Sequence, residues 1–139
     1  MAISKDTLTA LENAYRRWDE SGGEDLSLLV DLMEESVQFA TLPDGAKPLE
    51  FSKPCSNKRE VLSYLEGLLG DWDLLWLEIE EFVSDKDYVV VLLRNGWRNR
   101  RTDKRFEGHA AHAWRFRGKR ASHVRLFFDS AKWGDAAKA

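Results

Sequence analysis

All three histidines of this 139-residue chain fall within HAAHAWRFRGKRASHVRLFFD, residues 109–129. His109, His112 and His123, closed by Asp129, are the residue types of a metal site or an acid–base site, and equally of a wet surface. Which of these they form depends on the faces to which their strands turn them. Two loops fit the RFRGKRA bend. A two-residue Gly118-Lys119 turn suits type II′, which favours glycine first, and sets His112 opposite Arg125. It would place His112 on one face with Trp114, His123, Phe127 and Asp129. A three-residue Arg117-Gly118-Lys119 loop sets His112 opposite Val124. That register gathers Ala110, His112, Trp114, Phe116, Ser122, Val124, Leu126 and Phe128 on one face. His109, Arg115, His123, Arg125, Phe127 and Asp129 take the other. Only this second register sorts apolar from charged side chains, and burial of one face is what fixes register, so the three-residue loop is expected.

Alternation along the strand then turns His109 and His112 to opposite faces, so the HxxH spacing is no ligand pair and no metal is expected. Nor is an organic cofactor expected, since the chain has no glycine-rich phosphate loop. His112 alone enters the apolar face. Burial there lowers its pKa and keeps it neutral at pH 7, able to donate with one ring nitrogen and accept with the other.

The elements that must position it follow from periodicity. Leu8, Leu11, Tyr15 and Trp18 recur at helical spacing between a cap at Ser4 or Thr7 and the Gly22-Gly23 stop. A short second helix fits Leu26, Leu29, Val30 and Met33, with Asp25 as N-cap. SVQFATLP reads as a strand and DGAKPLEFSKPCS, with Pro48 and Pro54, as an irregular loop. A third helix starts near Ser56 and carries Val61, Leu65, Leu68 and Trp72. Four long strands follow: DLLWLEIEEFV, YVVVLLRNGWRNR, RFEGHAAHAWRFR and RASHVRLFF. Helices followed by antiparallel strands give an α+β class. On the second of these strands Val89, Val91, Leu93, Asn95 and Trp97 share the inner face, and Arg94, Arg98 and Arg100 the outer. GDAAKA reads as a frayed tail, leaving one domain over residues 1–133 and a flexible 134–139.

Six Trp, seven Phe and three Tyr exceed what a core of this size needs, which points to a pocket or an apolar interface. Cys55 is the only cysteine, so no intrachain disulfide forms, and a reducing compartment is expected. MAISKDTLTALENA lacks the marks of a signal peptide, and no run approaches the ~20 apolar residues of a membrane span. A soluble, cytoplasmic protein is expected. The net charge of −3 conceals a run from Arg94 to Arg125 of eleven basic residues against two acids, Asp103 and Glu107. Such a run is either a nucleic-acid footprint or the solvated face of a sheet opposite acidic helices. The negative net charge favours the second, and neither nucleic acid nor membrane is expected as a partner.

The LENAYRRW helix, the SNKREVLSYLEGL helix, the AWRFRGK hairpin and the closing VRLFFDSA resemble the nuclear transport factor 2-like superfamily, in its SnoaL-like and ketosteroid-isomerase-like branch, from Leu8 to Trp133. The resemblance implies a cone, with a curved antiparallel sheet wrapped around the long first helix and an apolar pocket at its open end. It also implies a homodimer formed through the sheet's outer face, for which Trp76, opposite Leu75, Leu77 and Ile79, is a candidate. In ketosteroid isomerases a first-helix tyrosine and an acid before the last hairpin hold the substrate oxygen, and a separate carboxylate moves the proton. Tyr15 is similar in position to that tyrosine, and His112 stands where the acid would. VQFATL carries no acid to match the proton-moving carboxylate, and Gly118-Lys119 replaces the usual Asp-Gly tip.

The expected function is a pocket for a small apolar molecule, in which a cofactor-free isomerase, cyclase or hydrolase would work by proton transfer. His112 and Tyr15 are the expected catalytic residues, and Trp18, Asn95, Trp97, Leu126 and Phe128 the ligand-binding ones. The alternative is a non-catalytic dimeric ligand-binding or assembly module.

Overall fold

The computed structural model describes residues 3–42, 44–47 and 49–138. Helix α1, Lys5–Glu20, starts on Ser4, whose hydroxyl accepts from the Thr7 N–H at 3.2 Å, so Ser4 is the cap. Its inner stripe of Leu11, Ala14, Tyr15 and Trp18 is buried. Gly23, at φ +87°, closes the turn beyond it and accepts from Trp18 Nε1 at 3.2 Å. Helix α2 is only Ser27–Asp31. The N-cap position belongs to Leu26, not Asp25. Asp25 instead accepts from the N–H and hydroxyl of Ser27 and pairs with Arg17 at 2.8 Å.

Met33 opens strand β1, Met33–Thr41, and does not extend the helix. The connection beyond it includes a 3-10 turn, Glu50–Ser52, and a bridge between Phe39 and Cys55. Pro48 lies outside the described residues. Helix α3, Lys58–Asp71, is capped by Asn57, which accepts from the Glu60 N–H at 2.9 Å. Trp72, expected on its last turn, is the first residue of β2, Trp72–Asp85. Strands β3, Tyr88–Asn99, β4, Arg105–Arg117, and β5, Arg120–Phe128, complete the sheet.

The strand order is β1-β5-β4-β3-β2. The sheet is mixed where a purely antiparallel one was expected, because β1 runs parallel to β5. Parallel neighbours need a long crossover, and here everything between β1 and β5 in sequence forms it. A bulge at Leu75 turns that residue outward and brings Leu74 and Leu77 in. Leu75 therefore does not share the inner face with Leu77.

The last hairpin departs from its expected form in an instructive way. Arg117 pairs with Arg120, so the loop is the two-residue Gly118-Lys119 turn, with Gly118 at φ +66° as a first-position glycine requires. The three-residue loop does not form. Phe116 nevertheless pairs with Ala121 while Arg115 pairs with His123, leaving Ser122 as one extra residue on β5. This bulge shifts the register by one, so His112 stands opposite Leu126 rather than Arg125 or Val124. The parity is that of the expected faces: His112, Trp114 and Val124 are buried, Arg115 and Arg125 exposed.

The C-terminal segment is no frayed tail over its described part. Asp129 caps helix α4, Ser130–Ala137, by accepting from the Ala131 and Lys132 N–H groups. Trp133 packs against Trp72, Trp97, Phe128 and Phe106 with ring centroids 4.6–5.3 Å apart, and Ala136 and Ala137 are buried beside it. The folded unit thus runs through Ala137, past the expected boundary at Trp133; Ala139 lies outside the described residues.

Four of the eleven residues of the basic run are paired with acids among the described residues. Arg98 meets Asp73 and Asp103, Arg100 meets Asp73, Arg115 meets Asp87 and Arg117 meets Glu34, all at 2.7–2.9 Å. Those acids come from strands and turns rather than from the expected helices. Among the described residues no helix is long and apolar enough to cross a membrane.

Candidate functional site

The sheet's concave face does not close fully onto α1. A cavity of about 70 Å³ remains between α1, α2, α3, β1 and the inner faces of β3, β4 and β5. All seven residues singled out from the sequence line it: Tyr15, Trp18, Asn95, Trp97, His112, Leu126 and Phe128. The α1 stripe delivers Tyr15 and Trp18, strand alternation delivers Asn95, Trp97 and His112, and the Ser122 bulge turns Leu126 and Phe128 inward. Of the lining residues only Leu65, Leu126 and Phe128 keep partial exposure, so the mouth lies between α3 and the end of β5, beside α4.

Tyr15 Oη lies 2.6 Å from His112 Nδ1 and accepts from Trp114 Nε1 at 3.0 Å. The other ring nitrogen of His112 has no protein partner among the described residues, yet it is not a fully sealed atom. It therefore opens on the cavity that the ring lines. The Asn95 side chain is likewise buried and without a protein partner among the described residues. Trp97 Nε1 is different, being fully sealed and unpartnered, with its ring between Trp18 and Trp133. A buried donor left unmade costs about 1–3 kcal/mol.

Among the described residues no Asp, Glu, Lys or Arg lines the cavity. Desolvation pushes the His112 pKa down from 6.5 to about 4, and raises the Tyr15 and Tyr64 phenols above their usual value. Each of these groups is neutral at pH 7. The site is thus an apolar chamber with Tyr15 and His112 as an uncharged hydrogen-bonded pair, and with Asn95 four residues farther along β3 from the row of His112. It can orient a neutral polar atom and has no fixed charge for an ion.

His109 and His123 stand apart from it. The His109 side chain is 77 % exposed and lies 3.6 Å from Glu80, while His123 Nδ1 is 2.9 Å from the Ser122 hydroxyl. Among the described residues no group of three or more His, Cys, Asp or Glu stands where it could hold a metal.

Sequence reasoning missed three contributors. Tyr64 lines the wall against Phe39 and Phe51; it sits three residues after Val61 and four before Leu68, a helical spacing that could have revealed it. Trp114 was placed on the correct face, but its bond to Tyr15 links residues 99 apart and leaves no local trace. Trp133 escaped notice because no helix is expected beyond the last strand, where α4 forms.

No family model matches this sequence, and no curated protein matches it. Solved structures do match in three dimensions. An NTF2-like protein of unknown function from Burkholderia pseudomallei superposes with TM-score 0.85 at 19% identity, covering 98% of this chain and 100% of its own. TerC, crystallised with polyporic acid, superposes with TM-score 0.74 at 17% identity over 94% of this chain and 96% of its own. A candidate isomerase from Rhodopseudomonas palustris gives 0.70 at 16% identity over 91% and 92%. The chain superposes on these structures along nearly its whole length, and with its curved, unclosed sheet and flanking helices the protein has the nuclear transport factor 2-like fold.

Proposed function

We propose that this protein binds a small, uncharged, mainly apolar molecule in the chamber between α1 and the sheet. His112 is its polar anchor and Tyr15 the group that orients His112. Trp18, Trp97, Leu126 and Phe128 are the apolar walls, and Asn95 offers a second polar contact. One observation carries this reading: seven residues chosen for their chemistry line one cavity, among them the buried polar groups of His112 and Asn95. Proteins of the same fold include a candidate isomerase and one crystallised with an organic acid, which supports a small-molecule role. The size of the chamber limits the ligand. At about 70 Å³ it is roughly half the ~150 Å³ that houses one benzene ring. A larger ligand requires Leu65, Leu126 or Phe128 to move at the mouth.

Within this reading, the lack of a lining carboxylate among the described residues favours binding over proton-transfer catalysis. We also propose that the protein pairs with a second copy through the outer sheet face. There Val83, Val90 and Ala113 lie in one row that ends at Arg125, and Leu92, Ala111 and Phe127 in the next, which begins at Glu81, with Val83 and Phe127 over 40 % exposed. Trp76 flanks these rows beneath the Arg94 guanidinium. The ion pairs along the basic run support a reading without nucleic acid.

The binding proposal is tested by methyl NMR with 2-methylpropene as probe. Methyl signals of Val61, Leu68 and Val124 should shift saturably in the wild type. They should not shift in Ala110→Leu, whose larger side chain fills the chamber. If the wild-type methyls stay still, the pocket reading fails.

A further inference from the structure

The polar end of the chamber is a three-member chain whose direction is fixed by its first member. An indole N–H only donates, so Tyr15 Oη must accept from Trp114 Nε1. The phenol hydrogen then has one acceptor within reach among the described residues, His112 Nδ1 at 2.6 Å. Were the proton on Nδ1 instead, Tyr15 would accept twice and its own hydrogen would be buried unpaired, which is the costly arrangement. The distance agrees with this direction. At 2.6 Å the contact is ordinary for an O–H donor and short for an N–H donor.

Resting on the pocket reading above, we propose that Trp114, acting through Tyr15, is a positioning residue that holds His112 in its Nε2–H tautomer. The free imidazole nitrogen is thereby a hydrogen-bond donor, and the pocket selects an uncharged ligand carrying an acceptor oxygen, such as a ketone or aldehyde. Taking a proton from a ligand would need a lone pair facing the chamber. Nε2 has none in this tautomer, and the Nδ1 lone pair is engaged by Tyr15. Exchanging the two roles would require Tyr15 to turn its hydrogen away from His112, where no described residue accepts it. Burial holds the ring in its singly protonated form at neutral pH, so one nitrogen donates and one accepts. His112 thus orients and polarises a ligand oxygen and removes no proton.

The tautomer is read directly from long-range ¹H–¹⁵N correlations of the imidazoles at pH 7. The expected spectrum has a pyridine-like Nδ1 and a pyrrole-like Nε2 for His112. Trp114→Phe keeps a ring in place but removes the donor, and should move these shifts toward a mixture of tautomers. Tyr15→Phe should do so more strongly. Acetone and 2-methylpropene have equal numbers of heavy atoms and differ in the acceptor. Trp114→Phe also changes a wall of the chamber, so the readout is the difference: acetone should weaken about three- to tenfold more than 2-methylpropene, the range of one hydrogen bond. An Nδ1–H signal in the wild type, or unaltered shifts in both variants, overturns the lock. Equal weakening of both probes overturns the selection while the pocket reading stands. If neither probe binds the wild type, the pocket reading fails and takes the selection with it.

Discussion

Acidification should cost this fold stability through one histidine, in a window that opens well above the carboxylate range. In the folded chain the His112 pKa is about 4, against 6.5 for an unburied imidazole. The sign follows from which state binds the proton. Between pH 6.5 and 4 the unfolded chain takes it up and the folded chain does not, so stability falls as pH drops through this window. Below about 4 both states are protonated and the loss levels off. A displacement of roughly 2.5 pKa units at 1.36 kcal/mol each gives a loss of about 3 kcal/mol between pH 7 and 4. His112→Gln keeps an acceptor for Tyr15 but cannot titrate, so it is the matched control. Paired carboxylates such as Asp25, held at about 2 by Ser27 and Arg17, add a loss at lower pH that both proteins share. Urea denaturation at pH 7, 5.5 and 4 should show the wild type losing about 3 kcal/mol more than the variant. An NMR titration of the same protein reads the His112 midpoint directly. Parallel pH dependence of the two proteins, or a His112 midpoint near 6.5, would refute the burial argument and its placement of the ring.

The outer face offers two further tests. Adding a Cβ at Gly96 would bring it within 2.3–3.0 Å of three atoms of the Trp76 ring directly across the ladder. Gly96→Ala should therefore lift that indole off the sheet, cost about 1–2 kcal/mol in urea melts, and move the Trp76 N–H resonance. Phe127→Glu puts a charge into the exposed apolar rows without touching the chamber. Sedimentation at micromolar concentration should give a 32 kDa species for the wild type and a 16 kDa species for the variant; a 16 kDa wild type would dismiss the dimer.

How far the sequence could be read depended on whether a feature repeats locally. The α1 stripe from Leu8 to Trp18 and the alternation from Val89 to Trp97 are periodic, and both hold in the structure. Features that break the period were not legible. Leu75, Glu80 and Ser122 are single extra residues in their strands, and nothing in their side chains announces a bulge. At the last hairpin the two effects offset each other. The turn took its two-residue form because Gly118 suits the first, left-handed position, and the phase this would have imposed was undone four residues later. Burial of Trp114, Val124 and His112 decided the faces, as the hydrophobic pattern required. The tail was misjudged for the opposite reason. GDAAKA is weak in isolation, and its helix exists because Trp133, just upstream, docks into an aromatic cluster gathered from four other elements.

The chamber is also a thermodynamic oddity for a chain of this size. An unfilled space of 70 Å³, at about 24 cal/mol per Å³, costs about 2 kcal/mol relative to a packed core. The sealed Trp97 N–H adds about 1–3 kcal/mol more. Simple replacements would remove both costs, a larger residue at Ala110 and a phenylalanine at Trp97. Net stabilities of 5–15 kcal/mol leave such terms as a substantial share of the total. Packing alone therefore does not account for this end of the protein. A ligand in the chamber would recover the cavity term by restoring contact with its walls, and an acceptor oxygen at the polar end would satisfy His112 Nε2–H. The same physical terms that make the empty chamber costly thus favour a small, neutral, acceptor-bearing guest.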